Sequence, residues 1–195
     1  MCGPADLEDQ GAHPILLAPA FGLPTGAPHL GRSEMKTLLD RPIASIGDGT
    51  PEAPQLTVET WMAVPTRGGL KVLLLLRSDD HGGFWQGVSG RVEQDDGTLR
   101  RAAEREIHEE TGFQGGFEVC DLGQWHEFLG PMSGLAFRKR SLGTLLPSGT
   151  TAESVTLSDE HIEARLVTFD EARALVRFDE NVGELTALER LIYED

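Results

Sequence analysis

The chain has 195 residues, 39% of them hydrophobic and 25% charged, which suffices for one well-formed core with an appendage beside it. Its formal net charge of -15 excludes a broad contact with nucleic acid or with an anionic membrane surface, since both need a positive field. A phosphate-bearing ligand must then meet a local exception, either a metal ion or a few clustered arginines.

From the N-terminus, Asp6, Glu8 and Asp9 precede the short apolar patch "ILLAPAF", the wrong charge sign for a secretory signal. No apolar run approaches the ~18 residues of a membrane helix, and two cysteines, Cys2 and Cys120, are too few for a disulfide framework. The expected location is the cytoplasm. Eight of the 11 prolines lie within residues 1–55, mixed with glycines as in "APAFGLPTGAPHLG". Residues 1–55 therefore read as an irregular extension, removable up to about Glu52. An alternative is that "EMKTLLDRP" forms a short helix packed on the domain.

The texture changes at residue 56, and residues 56–195 read as the folded domain. "LTVETWMAV" alternates as a strand, "LKVLLLLR" is a continuous buried strand, and "FWQGV" is a short one. A loop, "GRVEQDDG", leads into the longest helical pattern in the chain, from Thr98 to Thr111, closed by Gly112. Strands are expected again at "FEVCDLGQWHEF", "LAFRKRSLGTLL" and "IEARLVTF", and helices at "DEARALVRF" and "ELTALERLIYE". Strands interrupted by helices over roughly 140 residues predict an α/β class, with helices on two sides of a mixed sheet.

The helix at 98–112 has an anomaly. At roughly 100° per residue, Leu99, Ala102, Ala103 and Ile107 share one apolar face, and Glu106 and Glu110 project inside that arc. Glu109 lies just past its edge, while Arg101, Glu104 and His108 point to the solvated side. Burying two carboxylates requires a compensating positive charge. Hard Mg2+ or Mn2+ accepts several carboxylate oxygens at once, and Arg105 is the other available cation.

The stretch "REIHEETGF" at 105–113 resembles, position by position, the core of the Nudix box, and residues 70–113 as a whole look like Nudix hydrolases of the dihydroneopterin triphosphate and dATP pyrophosphohydrolase branch. The likeness resumes at "LSDEHIEARLVTFDEARALV" and does not include the extension. It implies a Nudix-type α/β/α sandwich and metal-dependent hydrolysis of a phosphoanhydride bond in a small nucleoside polyphosphate or related diphosphate-linked metabolite. ADP-ribose, a nucleotide sugar or a dinucleoside polyphosphate are rival substrates, and a non-catalytic nucleotide-sensing module is the rival from another class. Retention of all three box carboxylates favours catalysis.

By the same resemblance Glu106, Glu109 and Glu110 hold Mg2+ or Mn2+, with the Ser89 carbonyl as a further ligand, and Arg105 orients the carboxylates. The general base comes from the box, through Glu109 or Glu110, or from the later loop, where Glu160 is the main candidate and His161 the lesser one. Arg77, Arg91, Arg138 and Arg140 are candidates for phosphate, and Phe84, Trp85 and Gln86 for a ring. An aromatic pair on a short strand also reads as core, and Arg138 and Arg140, sharing a face, also read as a solvated edge strand. His126 reads as structural. The box departs from the family at its start: Gly97 stands where a glutamate is expected, after Asp95 and Asp96, and the loop from Gly90 is one residue longer. Asp96 is the residue positioned to take over. The expected partner is a small phosphorylated substrate, with neither nucleic acid nor membrane, and a homodimer is compatible with the pattern.

Overall fold

The computed structural model describes residues 36–130 and 133–194; the run "APAFGLPTGAPHLG" lies outside them. The expected short helix is present as α1 (Lys36–Leu39). Leu39 is wholly buried, the Ile43 N–H donates to the Gly97 carbonyl at 2.9 Å and the Leu56 N–H to the Ile46 carbonyl at 2.9 Å. Arg100 holds Asp40 at 2.6 Å. The described part of the extension is therefore packed on the domain.

Two long strands organise the sheet, β1 (Gln55–Thr66) and β2 (Gly69–Arg77). β3 (Trp85–Gln86), β4 (Val88–Arg91), β5 (Val119–Leu129), β6 (Ala136–Leu145) and β7 (His161–Val167) complete it. The hydrogen-bonded path runs β3-β2-β1-β6-β5, with β4 on β1 and β7 on β2. The β1–β6 pair is parallel and the others antiparallel, so the sheet is mixed. Leu73 pairs with Met62 on one side and Leu166 on the other, while Leu75 pairs with Gln86 and Ala164. β1 and β3 therefore follow each other along one edge of β2. By the same logic β2 and β4 share one edge of β1, where Met62 pairs with Leu73 and Thr60 with Val88. Where β1 and β2 diverge, the segment 85–91 fills the gap.

This geometry corrects two expectations. "FWQGV" is not one strand: it breaks at Gly87, and β4 continues into residues assigned to a loop. A Cβ at Gly87 would sit 2.7 Å from the Thr60 carbonyl oxygen, so only glycine fits where the segment crosses from β2 to β1. β6 is interior, between β1 and β5, so Arg138 and Arg140 are not on an edge strand.

Helices cover both faces. α2 (Leu99–Thr111) packs Leu99, Ala102, Ala103 and Ile107 against Val58, Met62, Leu73, Leu75 and Leu142. α3 (Phe169–Leu175) and α4 (Asp179–Tyr193) place Phe169, Ala172, Leu185 and Leu188 on the other face, against Trp61, Ala63, Val72 and Leu74. The result is the expected α/β/α sandwich. Among the described residues no helix is long and apolar enough to cross a membrane.

Candidate functional site

α2 begins at Thr98, whose side chain accepts the Arg101 N–H at 3.3 Å, and ends at Gly112, whose φ of 76° lets its N–H return to the His108 carbonyl. Between these caps the wheel holds as read. Glu106 and Glu110 are buried with the apolar residues, and Glu109 is exposed. Glu106 lies flat against β4: a Cβ on Gly90 would fall 1.9 Å from its carboxyl carbon.

Arg105 accounts for every N–H it has. Nε donates to Asp96 Oδ1 at 2.9 Å, Nη2 to Asp96 Oδ2 at 3.0 Å and to the Arg91 carbonyl at 2.7 Å, and Nη1 to Glu106 Oε1 at 2.8 Å and Glu109 Oε2 at 3.0 Å. Five donors meet five acceptors, which fixes the plane of the guanidinium. Asp96 reaches Arg105 from the short 3-10 turn Gln94–Asp96, where it also accepts the Glu93 N–H at 2.7 Å. Gly97 closes that turn at φ 69°, so the extra loop residue moves the carboxylate back by one position and leaves a left-handed glycine where the family has glutamate. Burial works to raise the Asp96 carboxyl, but the bonds from Arg105 and the Glu93 amide outweigh it and hold it below the usual range. The bonds it donates to Asp96 and the charge of Glu106 raise Arg105 further above its already high value, against burial.

Glu110 lies beyond the reach of Arg105. Burial, reinforced by the charge of Glu106, pushes its carboxyl up to about 9, with the Ser89 N–H at 3.3 Å acting in the other direction. Burial also raises Glu106, which Arg105 partly offsets. Around Glu110 stand Ser89, Gln86, whose Nε2 donates to Ser89 Oγ at 3.1 Å, and His161, whose Nε2 is 3.9 Å from Glu110 Oε2. At that distance the contact is electrostatic rather than a hydrogen bond. Burial, followed by the charge of Arg77, pushes His161 down to about 4, so its imidazole is neutral. Arg77 Nη2 donates to Glu160 Oε2 at 2.7 Å, and the Ser78 N–H holds the Glu160 carbonyl at 2.9 Å. Among the described residues no three acidic, imidazole or thiol groups converge on one point, and Arg105 Nη1 bridges Glu106 and Glu109.

The structure thus brings together Arg105, Glu106, Glu109, Glu110, Ser89 and Gln86, with Arg77 and Glu160 beside them. Arg91 supplies its carbonyl to Arg105 while its side chain stacks over Phe137 at 5.5 Å. Trp85 is not brought in: it pairs with Leu76, packs on the α3–α4 side and carries Arg165 over its ring at 4.8 Å. Phe84 meets Phe178 edge-on at 5.4 Å. Arg140 is buried and paired with Asp121, and Arg138 and Arg140 both stack on Trp125, at 4.7 and 4.9 Å. His126 is drawn to Glu184 at 3.1 Å, on the face away from α2. Gly90 and Gly87 were not singled out from the sequence, though the first is what lets Glu106 lie against the strand.

The family model for the NUDIX domain matches residues 56–188. No curated protein matches the chain in sequence. Among solved structures it is similar to a candidate NUDIX hydrolase from Listeria monocytogenes, at 25% identity and a TM-score of 0.59, covering 72% of this chain and 96% of that one. It is similar to the Escherichia coli dihydroneopterin triphosphate pyrophosphohydrolase at 22% identity and a TM-score of 0.57, covering 72% and 96%. A Caenorhabditis elegans Ap4A hydrolase, in a binary complex, aligns at 18% identity and a TM-score of 0.59, covering 72% and 98%. The chain belongs to the Nudix family and is a pyrophosphohydrolase, an enzyme that cleaves acid anhydrides.

Proposed function

We propose that the chain hydrolyses a phosphoanhydride bond in a small nucleoside polyphosphate or related diphosphate-linked metabolite, using Mg2+ or Mn2+ held by Glu106, Glu109, Glu110 and the Ser89 carbonyl. The observation that carries this reading is the buried pair Glu106 and Glu110, whose carboxyls are both raised by burial while Arg105, partly exposed, bonds only Glu106 of the two. An all-oxygen donor set that includes a buried carboxyl bonded to no cation suits a hard divalent cation. When bound, such a cation neutralises phosphate oxygens and lowers the pKa of a water molecule.

The chain's own residues do the rest. Arg105, immobilised by Asp96 and the Arg91 carbonyl, orients Glu106 and Glu109; Glu109, exposed and held through Arg105 Nη1, is the carboxylate that turns at least cost. Glu160 takes the proton from the attacking water, held toward the site by Arg77. Arg77 and Arg91 are the guanidinium groups offered to phosphate, and Gln86 the polar edge offered to a ring. His161, buried and neutral, supports Gln86 rather than carrying charge.

The test is a screen of nucleoside triphosphates, dihydroneopterin triphosphate, ADP-ribose, nucleotide sugars and dinucleoside polyphosphates with Mg2+ or Mn2+, scored by released phosphate or pyrophosphate. Metal-dependent release from at least one class is expected, with Glu160→Gln slower by roughly 10^2-fold. No release from any class with either metal would overturn the reading, and an unimpaired Glu160→Gln would return the base to the box.

A further inference from the structure

The proposed chemistry offers the substrate guanidinium groups and a polar edge, but no surface for the flat face of a ring. On the sheet face turned away from α2, where Trp61 packs with α3 and α4, the strand ladders assemble one. Residues two apart on a strand share a face, so Gln55 and Thr57 of β1 lie on the same side as Trp61. Across the ladders Thr57 is opposite Arg91 of β4, Gln55 is opposite Phe137 of β6, and Phe137 is opposite Phe128 of β5. Directly opposed side chains stand on one face. Arg91, Thr57, Gln55, Phe137 and Phe128 are therefore neighbours there.

The Phe137 ring has a flat group on each side. Phe128 stacks on it from β5, with centroids 5.3 Å apart and planes at 23°, and the Arg91 guanidinium reaches over it from β4, at 5.5 Å. Because β1 lies between β4 and β6, the Arg91 side chain must cross β1 to get there, and it crosses at Gln55 and Thr57. Gln55 Oε1 and Thr57 Oγ1 are both buried, and neither has a hydrogen-bond partner among the described residues. Buried polar atoms are nearly always paired, so two orphans beside one arginine point to a group that the arginine replaces. A guanidinium on an aromatic face is a flat plate, the shape of a heterocyclic ring. It is free to leave, since Arg91 is exposed and, with Gln55, lines a cavity of about 260 Å3.

We propose that Phe137, Gln55 and Thr57 form a ring subsite that Arg91 covers until a phosphate draws its guanidinium away. The ligand is a phosphorylated planar heterocycle. Its ring takes the place of the guanidinium on Phe137, and its polar edge pairs with the Gln55 amide and the Thr57 hydroxyl, which between them donate and accept. The inference rests on the reading of Arg91 as a phosphate contact and names the part of the substrate that lies beyond the phosphates. The experiment measures binding to the full chain by calorimetry, without metal. The probes are adenosine, guanosine and neopterin, and the phosphorylated forms ADP, GDP and dihydroneopterin triphosphate. Wild type is compared with Arg91→Ala, Phe137→Leu and Thr57→Val, the last keeping the side-chain shape in case Phe137→Leu fails to fold.

Arg91→Ala is expected to change the two kinds of probe in opposite directions. A phosphate-free ring should bind at least threefold more tightly, because its competitor on Phe137 is gone, and the matching phosphorylated form at least tenfold more weakly. Phe137→Leu should weaken both at least tenfold, and Thr57→Val both at least threefold. An Arg91→Ala protein that weakens both kinds of probe, or neither, would overturn the proposal, as would folded Phe137→Leu and Thr57→Val proteins with wild-type affinities. So would a wild type that binds no phosphorylated probe. Failure of metal-dependent hydrolysis across the substrate screen would sink the underlying reading instead, and the binding measurements, made without metal or turnover, would still decide whether the ring sits on Phe137.

Discussion

Replacing Asp96 by asparagine tests whether the displaced carboxylate anchors the box arginine. Asp96 is 6% exposed and accepts three hydrogen bonds, two from Arg105 and one from the Glu93 N–H. Asparagine has nearly the same shape but a single carbonyl oxygen, and its amide nitrogen would face an N–H donor from Arg105 or Glu93. At about 1.5–3 kcal/mol for a hydrogen bond to a charged group, and with Arg105 still partly open to solvent, the loss comes to roughly 3 kcal/mol. For a domain of this size that is a fall in Tm of about 6–12 °C. Because Arg105 Nη1 carries both Glu106 and Glu109, loosening its plane also misplaces two of the three box carboxylates. Turnover under saturating Mg2+ should drop by roughly 10- to 100-fold, on the scale of lost preorganisation. Thermal melts read the first effect and steady-state kinetics the second. An Asp96→Asn protein with wild-type Tm and turnover would show that Arg105 is held adequately by the Arg91 carbonyl and the glutamates. Placing glutamate at the family position should not rescue Asp96→Asn, because Gly97 holds φ 69°, where a side chain is strained.

Gly90→Ala should cut turnover by roughly 10^2-fold or more with only a small change in Tm, since the new methyl displaces the flexible end of Glu106 rather than backbone; unchanged kinetics would mean that Glu106 has no fixed place. Glu110, raised from 4.5 to about 9 in the metal-free fold, stabilises that fold fully below pH 4.5 and progressively less as pH rises toward 9, so wild type should lose stability across that window and Glu110→Gln should flatten the loss. Mg2+ should stabilise wild type more than Glu110→Gln in thermal melts at pH 8, and equal shifts would refute a metal role for Glu110. A chain starting at Glu52 loses the wholly buried Leu39 and the Asp40–Arg100 pair and should be less stable by roughly 2–4 kcal/mol; an unchanged denaturation midpoint would mean that the 36–51 segment is only draped on the domain.

What could be read in advance depended on whether a residue's setting is local. Glu106 and Glu110 were legible because helical periodicity is a short-range rule: six residues on either side suffice to show two carboxylates inside an apolar arc, and the burial of both followed. The break at Gly87 was not legible, because Phe84 to Val88 carries the apolar character of a continuous strand. The interruption is imposed by the divergence of β1 and β2, a property of two segments lying elsewhere in the chain. Arg138 and Arg140 show the same limit: alternation put them on one face, but only the parallel β1–β6 pairing makes their strand interior. α4 begins at Asp179, five residues earlier than its apolar pattern suggests, because its first turns bury Asn181 and Glu184 against Lys139 rather than apolar side chains. Polar residues read as solvated until a partner is known, and here the partner comes from a strand about forty residues away. The same reasoning explains Asp96. Its chemistry was legible from the charge beside Gly97, whereas its reach to Arg105 depends on a 3-10 turn that the extra loop residue creates. Functional placement in this fold is therefore least visible where a site is built by strand crossing and most visible where one helix carries it.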